Sequence, residues 1–180
     1  DTKPDPMAKV NLIEAIRPSL VVVEIELQYD NGEPPDADGW RYLCPNCGNY
    51  HYRSASGYVD EERPAELAGY VIGEDRVIIS DSLIHRRFIK EFRVVDGDRK
   101  IAATPAAYGE THQAIVLKLD EKLSKARPLA FDAEADGPYH AVSFQRANAR
   151  WTTTVAPLPD TVAVTDDGDK FIAAPSEAVV

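Results

Sequence analysis

Several features that mark common protein classes are missing from this sequence of 180 residues. Positive charge is in deficit, since 20 lysines and arginines stand against 30 aspartates and glutamates, for a formal net charge of −10. A nucleic-acid partner is therefore not expected, because neutralising phosphates requires a basic surface. No apolar run approaches the roughly 18 to 20 residues of a membrane-spanning helix, so no membrane-spanning segment is expected.

Cysteine and regular helix are also scarce. There are only two cysteines, both in one C-x-x-C motif, and this number does not fix the redox compartment. No helix of normal length is predicted after residue 16, and there is no internal repeat. The content of 44% hydrophobic and 28% charged residues is ordinary for a globular protein, and 180 residues are enough for one domain with a real core.

Short strands of alternating polarity account for most of what is present. In the run S-L-V-V-V-E-I-E-L-Q-Y, apolar residues alternate with Glu24, Glu26 and Gln28, which predicts a strand with one buried face. Strand patterns return after residue 67, separated by turn residues such as G-E-D and D-G-D. Strands at this spacing favour a barrel or sandwich. The predicted core comprises Val23, Ile25, Leu27, Val71, Val77, Ile79, Ile115 and Leu117.

The segment from Gly69 to Leu119 carries the most specific pattern. It contains the runs G-Y-V-I-G-E-D-R-V-I-I-S-D-S-L-I, I-K-E-F-R-V-V-D-G-D-R-K-I-A-A and H-Q-A-I-V-L-K-L. In spacing and strand pattern it resembles the chymotrypsin-fold (trypsin-like) serine proteases of the HtrA class. The resemblance covers residues 16–176 apart from the loop at 30–64, and it implies an all-β, chymotrypsin-like double β-barrel.

The catalytic positions that the resemblance implies hold other residues. Ser82 stands where the family has its general-base histidine, and His112 stands where the family has the aspartate that orients this histidine. A serine hydroxyl is far too weak a base to accept a proton near neutral pH. His85, which precedes two arginines, is interpreted as a surface residue rather than a displaced base. The resemblance therefore implies that the chain keeps the protease fold but has lost the catalytic triad.

Ser176 is the residue that aligns with the family's nucleophile. In the family a glycine-rich loop lets two backbone N–H groups point at the developing oxyanion. Here Pro175 has no N–H to donate, and Glu177 brings negative charge to the place where negative charge would develop. Because the sequence ends at Val180, before the last strands of a second barrel, the second barrel is expected to be partial or shortened.

The motif C-P-N-C-G is a candidate metal knuckle. Its tight turn would let the thiolates of Cys44 and Cys47 face one ion, and His51 is the best candidate for a third zinc ligand. A second C-x-x-C is missing, so a local disulfide and two free thiols stay open as alternatives. The aromatic residues around the motif fit either packing on the barrel or a partner surface.

Taken together, these patterns predict a non-catalytic trypsin-like domain, that is, a pseudo-protease that is not an enzyme and binds a protein partner or larger assembly. The alternatives are a serine protease of altered mechanism that uses Ser176 and a histidine, and a zinc-binding module. No cofactor other than zinc is expected. The predicted division is an N-terminal arm at 1–16 and a trypsin-like domain at 17–180, with an insertion at 30–64. The family resemblance implies a periplasmic or otherwise extracytoplasmic location.

Overall fold

The computed structural model of the chain consists mainly of β-strands. The residues that it describes are 12–35, 40–43, 50–53, 56–80, 84–109, 114–129, 140–147, 150–157, 162–164 and 170–172. Their strands are β1 (Leu20–Leu27), β2 (Trp40–Leu43), β3 (Tyr50–Arg53), β4 (Ala65–Gly73), β5 (Arg76–Ser80), β6 (Ile89–Asp96), β7 (Arg99–Gly109), β8 (Ala114–Leu119), β9 (His140–Ala147), β10 (Arg150–Pro157), β11 (Val162–Val164) and β12 (Lys170–Ile172). The described helices are short: two α-helices, α1 at 12–16 and α2 at Ser56–Asp60, and two 3-10 turns, Arg17–Ser19 and Arg86–Phe88. The all-β prediction is confirmed.

Six strands form a closed barrel. Their order around it is β1, β4, β5, β8, β7 and β6, and every neighbouring pair is antiparallel. Pairing of β6 with β1 closes the barrel, and all six strands belong to one compact unit over residues 18–129. This confirms the prediction of a complete first barrel.

The second compact unit comprises residues 1–17 and 130–180. Its described strands form two antiparallel hairpins, β9 with β10 and β11 with β12. In the first hairpin the rings of Phe144 and Trp151 lie with their centroids 4.8 Å apart. These hairpins fall where the sequence predicts the partial second barrel. Within the described residues, no helix is both long and apolar enough to cross a membrane.

The barrel interior is filled by the side chains that alternate inward along its strands. All eight residues of the predicted core are buried, from 0% exposed for Val23 and Val77 to 6% for Leu27. Gly69 supplies necessary space, because a Cβ atom there would lie 2.8 Å from methyl groups of both Val23 and Val77. Branched side chains therefore fill the volume that this glycine leaves free.

A tight turn joins β6 to β7 and is fixed by its surroundings. Gly97 follows Asp96 with a φ of +67°, a conformation that glycine adopts without steric cost. The carboxylate of Asp96 accepts hydrogen bonds from the Ser124 amide at 2.8 Å and from its hydroxyl at 2.7 Å. Burial acts to raise the pKa of Asp96, but these bonds and one from the Lys125 amide outweigh it and hold the pKa below its ordinary value. The segment after β8 is thereby tied to the barrel.

Strand β7 has 11 residues and owes its length to a change of partner. Its first residues pair with β6 up to Phe92–Ala103, and its residues from Ala103 to Gly109 pair with β8. The register shifts at Pro105, where the ladder forms a bulge. A bulge is one of the few places where a strand accepts proline. The T-P-A-A-Y run lacks alternation, so its residues do not predict that β7 extends through it.

Candidate active site

The two degenerate triad positions are approached by neighbouring strands. β5 ends at Ser80 and β8 begins at Ala114, and these two residues are paired in the sheet. Ser82 follows Ser80 by two residues, and His112 precedes Ala114 by two residues. The structure therefore brings the attachment points of the two segments to the same end of the barrel. Ser82 and His112 themselves lie outside the described residues, as does Ser176.

The segment that contains Ser82 is held on both sides. Ser80 is part of the barrel sheet before it, and Ile84, which is 4% exposed, belongs to the core after it. Arg86–Phe88 then form one 3-10 turn, and Phe88 is completely buried. The described residues on either side of the segment at 81–83 therefore both belong to the barrel.

His85 is exposed and its geometry does not suit a general base. It caps the 3-10 turn, and its Nδ1 accepts a hydrogen bond of 3.3 Å from the Arg87 amide. Since Nδ1 accepts, the proton of the neutral ring is on Nε2, which is then a donor. In a triad the ring has the opposite arrangement, with Nδ1 donating and Nε2 free to take the proton of the nucleophile. The interpretation of His85 as a surface residue agrees with this contact.

The candidate metal ligands belong to a hairpin whose described part is its two strands. β2 and β3 pair from Trp40–Arg53 to Leu43–Tyr50, so they bring the two ends of the segment at 44–49 together. Cys44 and Cys47 lie in that segment, outside the described residues, and His51 belongs to β3. Among described residues no group of three or more His, Cys, Asp or Glu side chains could hold a metal ion.

Charged side chains cover the outer face of β1, β6 and β7. Lys90 and Arg93 both pair with Glu26, and Arg93 lies 2.6 Å from Glu26 and also 2.6 Å from Glu91. The hydrogen bond from Lys90 is the main cause that lowers the pKa of Glu26, against the opposing effect of burial. Lys100 Nζ lies 2.9 Å from the buried Glu24 Oε2, although this oxygen has no partner at hydrogen-bonding geometry. These ion pairs link neighbouring strands on the outer face of the barrel and do not form a reactive centre.

A cleft that the sequence did not reveal lies beside the 3-10 turn, between β6 and β7. Its volume is about 990 Å³. Core side chains reach its surface, and the exposed His85, Arg86 and Lys90 stand around it. The guanidinium carbon of Arg86 lies 3.5 Å from the centre of the Tyr108 ring, a cation–π contact that joins the 3-10 turn to β7.

Solved protease structures share this architecture. The active form of the Rv3671c protease from M. tuberculosis matches with a TM-score of 0.52 and 22% identity, over 90% of this chain and 57% of that chain. The fold is that of the chymotrypsin-like serine proteases. The inactive form of Rv3671c matches with a TM-score of 0.51 and 20% identity, over 92% of this chain and 65% of that chain.

An HtrA-type protease has the same fold. AlgW, solved with a decapeptide, matches with a TM-score of 0.50 and 16% identity, over 91% of this chain and 49% of that chain. The chain thus spans between about half and two thirds of the length of these solved chains. No protein-family model matches the sequence, and no curated protein matches it.

These comparisons correct the prediction that the chain is not an enzyme. The structures that share its fold are proteases, one of them in its active form, and this contradicts the expectation that the chain is not an enzyme. That expectation treated a changed residue at a triad position as the loss of the triad's chemistry. A base and a hydroxyl are still present at the two positions, with their order along the chain exchanged.

Proposed function

We propose that this domain is a serine protease of altered mechanism, with Ser176 as the nucleophile and His112 as the general base. The observation that carries the proposal is the Ser80–Ala114 pair, since it brings the attachments of the segments with Ser82 and His112 to one end of a protease-type barrel. In the proposal, the Ser82 hydroxyl accepts a hydrogen bond from the His112 ring. This hydroxyl replaces the carboxylate that orients the histidine in an ordinary triad.

The proposed chemistry is acyl transfer through a covalent intermediate. His112 takes the proton of the Ser176 hydroxyl as its oxygen bonds to the peptide carbonyl carbon, and it gives this proton to the amine when the C–N bond breaks. Water then attacks the acyl-enzyme, again with His112 as base, and releases the carboxylate product. A neutral hydroxyl stabilises the imidazolium less than a carboxylate does, so turnover slower than that of an ordinary triad is expected.

The proposal is tested by covalent labelling with a serine-directed aryl phosphonate, followed by peptide mapping. We expect one phosphonyl group per chain, on Ser176, because only an activated serine reacts at micromolar reagent. A label on Ser82 would instead make Ser82 the nucleophile of a Ser82–His112 pair. Absence of any label, on protein with an intact thermal transition, would contradict a serine protease.

The natural setting of this chemistry is also part of the proposal. We propose an extracytoplasmic location and a protein substrate or partner, on the basis of the family resemblance and the shared fold. The division into an arm at 1–16 and a domain at 17–180 with an insertion at 30–64 stays a prediction. Cell fractionation followed by immunoblotting tests the location directly.

We further propose that Cys44 and Cys47 bind zinc, with His51 as third ligand. The supporting observation is the Leu43–Tyr50 pair, which closes a short connection that carries both cysteines. Two thiolates on such a connection can face one tetrahedral ion. Elemental analysis of protein purified without added metal should give about one zinc per chain. Protein that has neither metal nor free thiols would indicate a disulfide between the two cysteines. Protein that has no metal but two free thiols would exclude both the zinc site and the disulfide.

A further inference from the structure

The cleft between β6 and β7 is bordered by two strand edges. The ladder between these strands ends at the Phe92–Ala103 pair. Beyond it, in the part of the chain that the structure describes, the start of β6 pairs only with β1, and 104–109 of β7 pair only with β8. Each strand therefore turns one edge of its backbone toward the cleft. Such an edge can accept a further strand through main-chain hydrogen bonds.

The interior of the cleft is apolar and has room for a short peptide. Ile84, Phe92, Ala103 and Ile115 line it, and each of them is at most 6% exposed over the whole residue. The edge at 104–109 extends about 20 Å at about 3.3 Å per residue, which corresponds to a segment of five or six residues. Alternate side chains of an added strand would point toward this apolar lining.

The rim of the cleft favours a carboxylate. In the described residues Arg86 has no carboxylate partner, and its guanidinium is occupied only on the face that lies over Tyr108. The neighbouring His85 accepts with Nδ1, so its Nε2 carries the ring proton and is a donor. Lys90 adds a second cation, although it already pairs with Glu26. Glu91 also lines the cleft, but it pairs with Arg93, so in a chain of net charge −10 the cleft carries a local excess of donors.

We propose that this cleft binds an extended peptide of alternating apolar and acidic residues, which adds a strand between β6 and β7. The apolar side chains enter the lined interior, and a carboxylate contacts Arg86 and the Nε2 of His85. Pro105 has no N–H to donate, and the bulge beside it interrupts the edge, so a short segment fits better than a long sheet. Peptide binding by this cleft does not require the chemistry proposed for Ser82, His112 and Ser176.

The test uses a fluorescein-labelled, acetylated hexapeptide of alternating valine and glutamate. Its binding is measured by fluorescence polarisation in the full chain carrying Ser176→Ala, which prevents hydrolysis. We expect saturable binding that weakens as salt is added, because a charge contact is screened. Adding Arg86→Glu should weaken binding at least tenfold. The same variant should gain affinity for the hexapeptide of valine and lysine, which the unaltered cleft should bind poorly.

Two controls separate strand addition from charge attraction alone. Arg99→Glu changes an exposed arginine at the far end of the β6–β7 hairpin and should leave binding unchanged. A valine–glutamate hexapeptide with N-methyl groups on alternate amides keeps its charge but loses main-chain donors. Because an added strand would pair with both edges, each of the two methylation patterns should weaken binding at least tenfold. Equal affinity of both methylated peptides and the parent would contradict strand addition.

A second measurement locates the peptide even where a variant is poorly folded. A hexapeptide with a photoreactive benzophenone at one valine position should crosslink to 89–91 or to 104–109, as mapped by mass spectrometry. Crosslinks confined to other residues would overturn the proposal. Chain dimerisation that Arg86→Glu abolishes, with no peptide binding at any concentration, would also overturn it, since the cleft would then accept a second copy of this chain.

Discussion

A Ser176→Ala variant is expected to lose peptide hydrolysis by a factor of about 10⁴ or more in kcat. The reason is that alanine cannot form the acyl-enzyme, so only binding and orientation of the substrate are left to assist attack by water. The measurement is single-turnover cleavage of an unfolded protein substrate, compared between the variant and the unaltered chain. Unchanged turnover would mean that another residue is the nucleophile.

Companion variants identify the base and its orienting group. His112→Ala should lose about as much activity as Ser176→Ala, because the effects of substitutions within one catalytic unit are not additive: losing either residue disables the unit. Ser82→Asp should raise kcat at least about tenfold, since a carboxylate beside the ring stabilises the imidazolium better than a hydroxyl does. Ser124→Ala is the matched control, because it removes a serine hydroxyl that bonds to Asp96 rather than to the proposed site. Loss of activity in this control to the same extent would point to a folding defect.

The barrel could be predicted because each of these strands has a recognisable pattern of apolar residues in its own sequence. Alternation along β1 and the apolar runs of β5 and β8 predict which side chains point inward, and all eight predicted core residues are buried. The D-G-D run likewise predicts the turn at Gly97, which has the positive φ that glycine tolerates. These features depend on the pleat and on turn chemistry, and both act between neighbours in sequence.

The cleft could not be predicted, because it depends on a change of partner between strands. β7 leaves β6 after Ala103 and continues along β8 through a bulge at Pro105. Nothing within T-P-A-A-Y specifies which neighbour it will pair with, since that choice depends on the closure of the barrel. The contact of Arg86 with Tyr108 is equally non-local, as the two residues come from segments that only the barrel brings together.

The candidate active site is an intermediate case. The sequence predicts Ser82, His112 and Ser176 by position along a known pattern, and the Ser80–Ala114 pair brings the attachments of the first two segments together. What the interpretation of the sequence did not weigh is that the exchange keeps both a base and a hydroxyl. A triad is defined by the roles and geometry of its groups rather than by their order along the chain, and the same roles occur in different orders on unrelated folds.

Replacing Ile79 by alanine is expected to destabilise the barrel by about 2 to 5 kcal/mol. Ile79 is 1% exposed and lies in β5 between Gly69 of β4 and Ile115 of β8. The glycine opposite has no side chain that could move into the vacated space, so a cavity is expected to persist. The matched control is Ile78→Ala, one residue earlier on the half-buried outer face, which should cost about 1 kcal/mol or less. Urea titration followed by tryptophan fluorescence and circular dichroism measures both. Equal losses in the two variants would show that the inner and outer faces of β5 are wrongly assigned.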